Sequence, residues 1–253
     1  MSSPLNSRGF TLIELAIVLV IVGVLAGSFI TTLSSRIDST RIAETSDEID
    51  LIKQALFGFA YSQPAGSIRI PCPDCNNDAC VTGVNVANDG IEDHDGNVCD
   101  ADDEPGNVPW VTLGVGRSDA WGTHFSYWAS DDYTDPSVGN GFTLASDATG
   151  DARVDDTTGA GANTIADRIA AVIFSHGKDG YDGISEDGAL RDAMPVAVRY
   201  NDQRENNDID AAPMLFISRP ITPDGANVSF DDVIDWISEY EIKARMADAQ
   251  VLP

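Results

Sequence analysis

Arg8-Gly9-Phe10-Thr11-Leu12-Ile13-Glu14-Leu15-Ala16-Ile17-Val18-Leu19-Val20-Ile21-Val22-Gly23-Val24-Leu25-Ala26-Gly27 is the stretch on which the reading of this chain turns. From Phe10 to Ile30 nearly every side chain is apolar. As a helix rising about 1.5 Å per residue, this run covers roughly the 30 Å of a bilayer's hydrocarbon core, so the sequence predicts a transmembrane segment over 10–30. Glu14 is the exception. An ionisable group inside an apolar helix costs a few kcal/mol and marks a functional position that needs a partner. A secretory signal peptide could end at the small-residue site Val24-Leu25-Ala26, and a plain anchor would need neither Gly9 nor Glu14. The carboxylate argues against both.

A short polar leader ending in Arg8-Gly9, followed by Phe10-Thr11-Leu12-Ile13-Glu14, resembles the processing and assembly signal of type IV pilins and of the pseudopilins of type II secretion. The resemblance implies cleavage between Gly9 and Phe10 by a prepilin peptidase on the cytoplasmic face and methylation of the new Phe10 amine. It also implies insertion in the bacterial inner membrane with the head in the periplasm, then extraction by the inner-membrane assembly machinery into a periplasmic or cell-surface filament. Its partners would be other pilin or pseudopilin subunits, the peptidase and membrane lipid. Orientation rests on this resemblance, because Arg8 precedes the span while Arg36, Arg41 and Lys53 follow it, which leaves the positive-inside rule undecided.

Physical chemistry supplies a reason for the arrangement. Cleavage leaves an ammonium at a helix end that is already positive, and Glu14 follows four residues later. Each charge is costly alone in a low-dielectric bundle, and pairing them between neighbours sets an axial stagger, the registry role best attested for buried ion pairs.

The rest of the chain is acidic: 15 Lys plus Arg stand against 41 Asp plus Glu, for a net charge of −26. Such a surface repels a phosphate backbone, so nucleic acid is not an expected partner, and it keeps an exported head soluble. Cys72, Cys75, Cys80 and Cys99 are the four cysteines. Export to an oxidising compartment makes disulfides the default, with three connectivities open. The Cys72-Pro73-Asp74-Cys75 spacing also fits a redox dithiol or half of a zinc or iron–sulfur site.

Past the span, Ile42, Ile49, Leu51, Ile52, Leu56 and Phe59 recur mainly at three- and four-residue steps among acidic residues, an amphipathic continuation of the same helix. It should end before Pro64-Ala65-Gly66. Gly23 and Gly27 either let the membrane half bend or permit close helix packing. The division expected is a cleaved leader over 1–9, a long helix over 10–62 and a globular head over 63–253.

Within the head, Asn85–Asn107 reads as an acidic loop. Aligned on Gly96, it lacks an EF-hand ligand at Ile91, although Asp93, Asp95 and Asp102 fit. Val108–Gly114 and Asp119–Trp128 read as short strands. The Asp119-Ala120-Trp121-Gly122 segment is similar to one in pseudopilin sheets, and Trp110-Val111-Thr112-Leu113-Gly114 is similar to a run in large prepilin-type proteins. Asp131–Gly161 reads as a loop with an edge strand at Phe142-Thr143-Leu144. The apolar Ile169–Ser175 predicts a central strand covered on both faces, one cover being the N-terminal helix. Strands are further expected at Met194–Arg199 and Met214–Ser218. A C-terminal helix is expected from Ser229 as N-cap, with Asp231 and Asp232 in its first turn and Val233, Trp236, Ile237 and Tyr240 on one face.

His176-Gly177-Lys178-Asp179-Gly180 resembles the turn that precedes a calcium loop in the major pseudopilin. That resemblance implies a calcium site drawing on Asp179, Asp182, Glu186, Asp187, Asp208 and Asp210, oxygen ligands on irregular backbone as calcium prefers. No cofactor is required. His94, His124 and His176 are the only histidines, and no nucleophile elbow or phosphate loop occurs, so no enzyme is expected. The fold class predicted is α+β and pilin-like: a long N-terminal helix on an antiparallel head sheet, with a C-terminal helix. The function predicted is that of a filament subunit, against the alternative of an anchored, calcium-binding or adhesive domain that never polymerises.

Overall fold

The structure, a computed structural model, describes residues 11–75, 86–94, 96, 99, 105–207, 213–222 and 228–252, and no side chain between 26 and 35. The chain divides into two compact units, 1–43 and 44–253. Helix α1, Leu12–Ser62, is continuous through the boundary, as the apolar run and its amphipathic extension predict. Within the first unit the described part of the apolar run, Leu12–Leu25, is exposed throughout. At about 1.5 Å per residue it covers about 21 Å, and among the described residues no helix is long and apolar enough to cross a membrane.

In the second unit α1 buries Ile49, Ile52, Leu56, Phe57 and Ala60. Leu51, read as part of this stripe, faces solvent instead, and Phe57 takes the inward position. The helix meets a four-stranded sheet in the order β1-β2-β5-β7, built from Gly106–Asn107, Ser126–Ala129, Ile169–Ser175 and Val233–Ser238, antiparallel throughout. A second sheet, β4-β3-β6 (Thr164–Asp167, Ala152–Asp155 and Met214–Ile217), pairs β3 antiparallel to β4 and parallel to β6.

Every residue of β5 is buried, and the alternation of its side chains explains why. Ala171 and Ile173 share one core with Ile49, Ile52 and Leu56 of α1 and with Tyr127 and Ile237. Val172 and Phe174 point the other way, into a core with Trp128, Val154, Met214 and Phe216. The central strand thus has α1 on one face and the second sheet on the other, which removes any solvated side and with it the polar alternation.

Several local expectations fail. Trp110–Leu113 is a short helix, α2, closed by Gly114 in the left-handed region, because the turn after Pro109 folds the Trp110 ring over Gly90. Asp131–Thr134 forms the short helix α3, β3 lies inside the segment read as loop, and Phe142-Thr143-Leu144 is irregular with Phe142 buried against Tyr133. Met194–Arg199 is no strand: Val198–Tyr200 is a 3-10 turn leading into α4, Asn201–Glu205. The last helix starts ten residues later than Ser229. Val233–Ser238 is β7, and α5 is Glu239–Asp248, with Ser238 Oγ accepting the Glu241 N–H at 3.2 Å as N-cap. Cross-strand pairing of Trp236 with Val172 and of Ile234 with Phe174 outweighs the weak helix preference of those β-branched and aromatic residues.

Candidate functional site

Three places hold the residues singled out by the sequence. At the start of α1, Glu14 is exposed and turned back on its own backbone. Its Oε2 accepts the Thr11 backbone N–H at 3.0 Å and the Thr11 hydroxyl at 2.8 Å, while the Glu14 N–H approaches Thr11 Oγ1 at 3.3 Å. This reciprocal pattern is a capping box, Thr-x-x-Glu, legible in Thr11-Leu12-Ile13-Glu14 but not read there. Glu14 therefore starts the helix locally. Around it Leu12, Ile13, Leu15 and the following aliphatics form a continuous exposed apolar surface, of the kind that marks a lipid or protein contact. Gly9 and Phe10 lie outside the described residues.

The second place is the turn after β5. Ser175 Oγ donates to Asp119 Oδ2 at 2.5 Å and accepts the Gly177 N–H at 3.0 Å. Ser126 Oγ and His176 Nε2 are 2.8 Å apart. Burial pushes the His176 pKa down to about 4, opposed by its bond to the Tyr181 backbone, so the ring is neutral near pH 7 and shares one hydrogen bond with the Ser126 hydroxyl. Both residues lie in the sheet interior, where the pair satisfies buried polar groups. Gly177 allows the carbonyl of Asp231 to approach so closely that a Cβ would sit 2.2 Å from that oxygen.

The acids around this turn face the backbone. Asp231 Oδ2 accepts the Asp179 N–H at 2.9 Å, and Gln203 Nε2 donates to Asp179 Oδ2 at 3.2 Å and also to Asp231. Asn206 donates to Asp232 Oδ2 at 2.7 Å and accepts the Ile217 N–H at 2.6 Å. Burial, then the neighbouring Asp179, raises the Asp231 pKa to about 7, and burial raises that of Asp232 as well. Asp231, read as a helix-dipole residue, instead clamps the turn, and Asp232, read likewise, is held by Asn206.

Of the carboxylates implied for calcium, Asp179 joins Asp231 and Asp232. Asp182 accepts the Met194 N–H at 3.1 Å, Glu186 the Ser118 hydroxyl at 3.1 Å, and Asp187 the Ser185 hydroxyl. Asp208 and Asp210 lie outside the described residues. Among the described residues, the only three His, Cys, Asp or Glu ligand atoms that fall together belong to Asp74, Cys75 and Asp93.

That trio opens the third place. Cys72 is bonded to Cys99, with Cα atoms 5.4 Å apart; Cys75 is also in a disulfide, and Cys80 lies outside the described residues. Cys72 and Cys75 are therefore not partners in a dithiol, and no described cysteine is a free thiol, which leaves the trio without a thiolate ligand. The acidic loop that follows is used internally. Glu92 grips Arg69 through two bonds of 2.6 and 2.9 Å and accepts the Cys72 N–H at 3.1 Å. Asp93 accepts the Cys75 N–H at 2.9 Å. Asp74, fully buried, accepts the N–H groups of Asn88 and Gly90 at 3.1 and 3.0 Å. Burial, aided by Asp93 and Asp89, nonetheless raises its pKa to about 8. Asp95 and Asp102 lie outside the described residues.

A long helix with an exposed apolar start, entering a disulfide-bonded α+β head, is the architecture on which the comparison with known proteins falls. Residues 4–30 match the family described as the prokaryotic N-terminal methylation motif. The chain thus carries a type IV pilin-like, prepilin-type signal, the mark of prepilin peptidase substrates and of proteins associated with the prokaryotic envelope. No curated protein and no solved structure matches the chain.

Proposed function

We propose that this chain is a subunit of a filament of the type IV pilus or type II secretion pseudopilus kind. Before assembly, the apolar start of α1 holds it in the inner membrane with the head in the periplasm. Cleavage between Gly9 and Phe10 then frees the amine that Glu14 of a neighbouring subunit pairs with. The observation that carries this reading is the methylation motif at 4–30 running straight into a 51-residue helix whose apolar first turns are exposed. Catalysis has no part in it. Calcium is a separate proposal for the loop after β5, and a chelator that leaves the melting temperature unmoved counts against it.

Mass spectrometry of the protein from its native host tests processing: the expected N-terminus is methylated Phe10, and a working form that retains residues 1–9 overturns the proposal. Glu14 tests assembly. Its two roles separate because glutamine at the third helical position still closes a capping box but carries no charge. Glu14→Gln is expected to remain folded and membrane-bound yet enter filaments at about a tenth of the normal level or less, since an ammonium left unpaired in a buried bundle is heavily penalised. Normal incorporation of this variant reduces Glu14 to a helix cap.

A further inference from the structure

Most cations of the head are already matched to carboxylates: Lys53 to Asp235, Arg69 to Glu92, Arg153 to Asp155, Arg168 to Asp147, Arg219 to Asp202, Lys243 to Glu239. One surface segment departs from this. Arg191 gives its donors to the Trp121 and Gly122 carbonyls, Arg199 lies over the Tyr200 ring, and Arg204 bonds Asn201 and the Pro195 carbonyl. None of the three is paired with a carboxylate among the described residues. Between them Val196 and Val198 are 98% and 82% exposed. Asp202 of the same segment is turned inward to Arg219, which leaves Asp192 as its exposed acid. In a chain of net charge −26, an apolar spot flanked by guanidiniums without a carboxylate partner is a place where another acidic surface is attracted rather than repelled.

The chain itself presents the complement. Val138 and Leu144 are 96% and 53% exposed on the segment 131–147, which has no Lys or Arg of its own and carries Asp131, Asp132 and Asp135 besides Asp147, the one already matched to Arg168. Asp131 and Asp132 are exposed in α3. This segment is tied to Gly66 and Ser67, whereas the Gly183 carbonyl, accepting the Arg191 N–H at 2.8 Å, holds the valine and arginine segment at its start. Donor and acceptor surfaces are thus separate loops.

We infer that the segment 190–204, through Val196, Val198, Arg199 and Arg204, docks on the acidic segment 131–147 of a second copy of this chain. Such a contact uses two different patches, so it is heterologous and can repeat without closing into a dimer. Opposite charge selects the partner and sets its orientation, and the contact weakens as salt shortens the Debye length below about 10 Å. The inference rests on the filament reading for its occupant.

A photo-crosslinking residue at Val196 of the full-length protein, in cells, tests it, with exposed Val111 as the control position. The expected product is an adduct of twice the chain mass whose crosslinked peptide falls within 131–147, absent from Val111. Arg199→Glu with Arg204→Glu should cut that adduct about tenfold, and adding Asp132→Arg should restore part of it, which a misfolded head would not do. An adduct to a different peptide, an adduct to a protein of another mass, no adduct, or a yield indifferent to charge reversal overturns the inference. Filaments bearing methylated Phe10 but giving no Val196 adduct sink this contact alone; the adduct without filaments sinks the filament reading and leaves the contact standing.

Discussion

Gly177 shows how much a single hydrogen atom decides. Its φ of +61° and the Asp231 carbonyl beside it leave no room for a methyl group, and the whole clamp of Asp231 and Asp179 on the turn depends on that approach. Gly177→Ala is expected to destabilise the head by about 2–4 kcal/mol, through strain and lost hydrogen bonds together. Gly188 is the control, since its φ is +81° with open space around it. Gly188→Ala should cost only the left-handed backbone penalty, about 1–2 kcal/mol. Urea unfolding of both variants measures the difference, and equal losses would show that contact with Asp231 is immaterial. The same scale accounts for Glu14. The residue stands out in the sequence because it is charged among aliphatics, while its bond to Thr11 needs only a spacing of three.

Among the elements, α1 and β5 were legible because each has a long and unambiguous pattern: apolar residues at helical steps in one, an unbroken apolar run in the other. The end of the chain was not. Val233, Trp236, Ile237 and Tyr240 sit at spacings that suit a helix, yet the edge of β5 offers unpaired backbone groups that only a strand can satisfy, and the helix is displaced to Glu239. The cysteine segment is an element of the same kind, set by distant partners. Closing the loop between Cys72 and Cys99, 27 residues apart in sequence, removes denatured-state entropy worth about 3.5 kcal/mol in the chain model. Replacing both with alanine should lower stability by about 2–4 kcal/mol and loosen the grip of Glu92 on Arg69. Denaturant midpoints of the oxidised protein test this, and an unchanged midpoint refutes it. The core between α1 and the sheet is open to a similar measurement: Ile52→Ala, at a fully buried position, should cost about 2–5 kcal/mol.

For the molecule as a whole, the acidic balance becomes a pH dependence. Asp74 and Asp231 have folded pKa values of about 8 and about 7, above the unfolded value near 4. The folded state therefore holds protons that the unfolded state has lost, and stability falls as pH rises from about 4 through 7 and 8. His176 acts oppositely: its folded pKa near 4 lies below the unfolded value, so it favours folding more as pH rises up to about 6.5 and adds nothing to the slope above that. Between pH 6.5 and 8 only the carboxyls remain. From these two carboxyls the head should lose about 2–3 kcal/mol over that window, at up to 1.4 kcal/mol per pH unit and proton, and Asp74→Asn should flatten the decline. A stability that rises with pH over this range contradicts the assignment.

By itself the sequence determined that the chain has a long N-terminal helix with an apolar half and an amphipathic half, which strand is central, and that residues 4–30 carry a prepilin-type signal. Those features depend on neighbours along the chain, a few residues apart, and so are written in periodicity and spacing. Tertiary structure alone decided that Cys72 meets Cys99, that Asp231 binds a turn 52 residues upstream and Asp232 binds Asn206 instead of opening a helix, that Glu92 and Asp93 serve the head's interior, and that arginines without a carboxylate partner flank Val196. Each of these is a contact between segments remote in sequence, settled by which backbone groups and charges the folded sheets bring within reach.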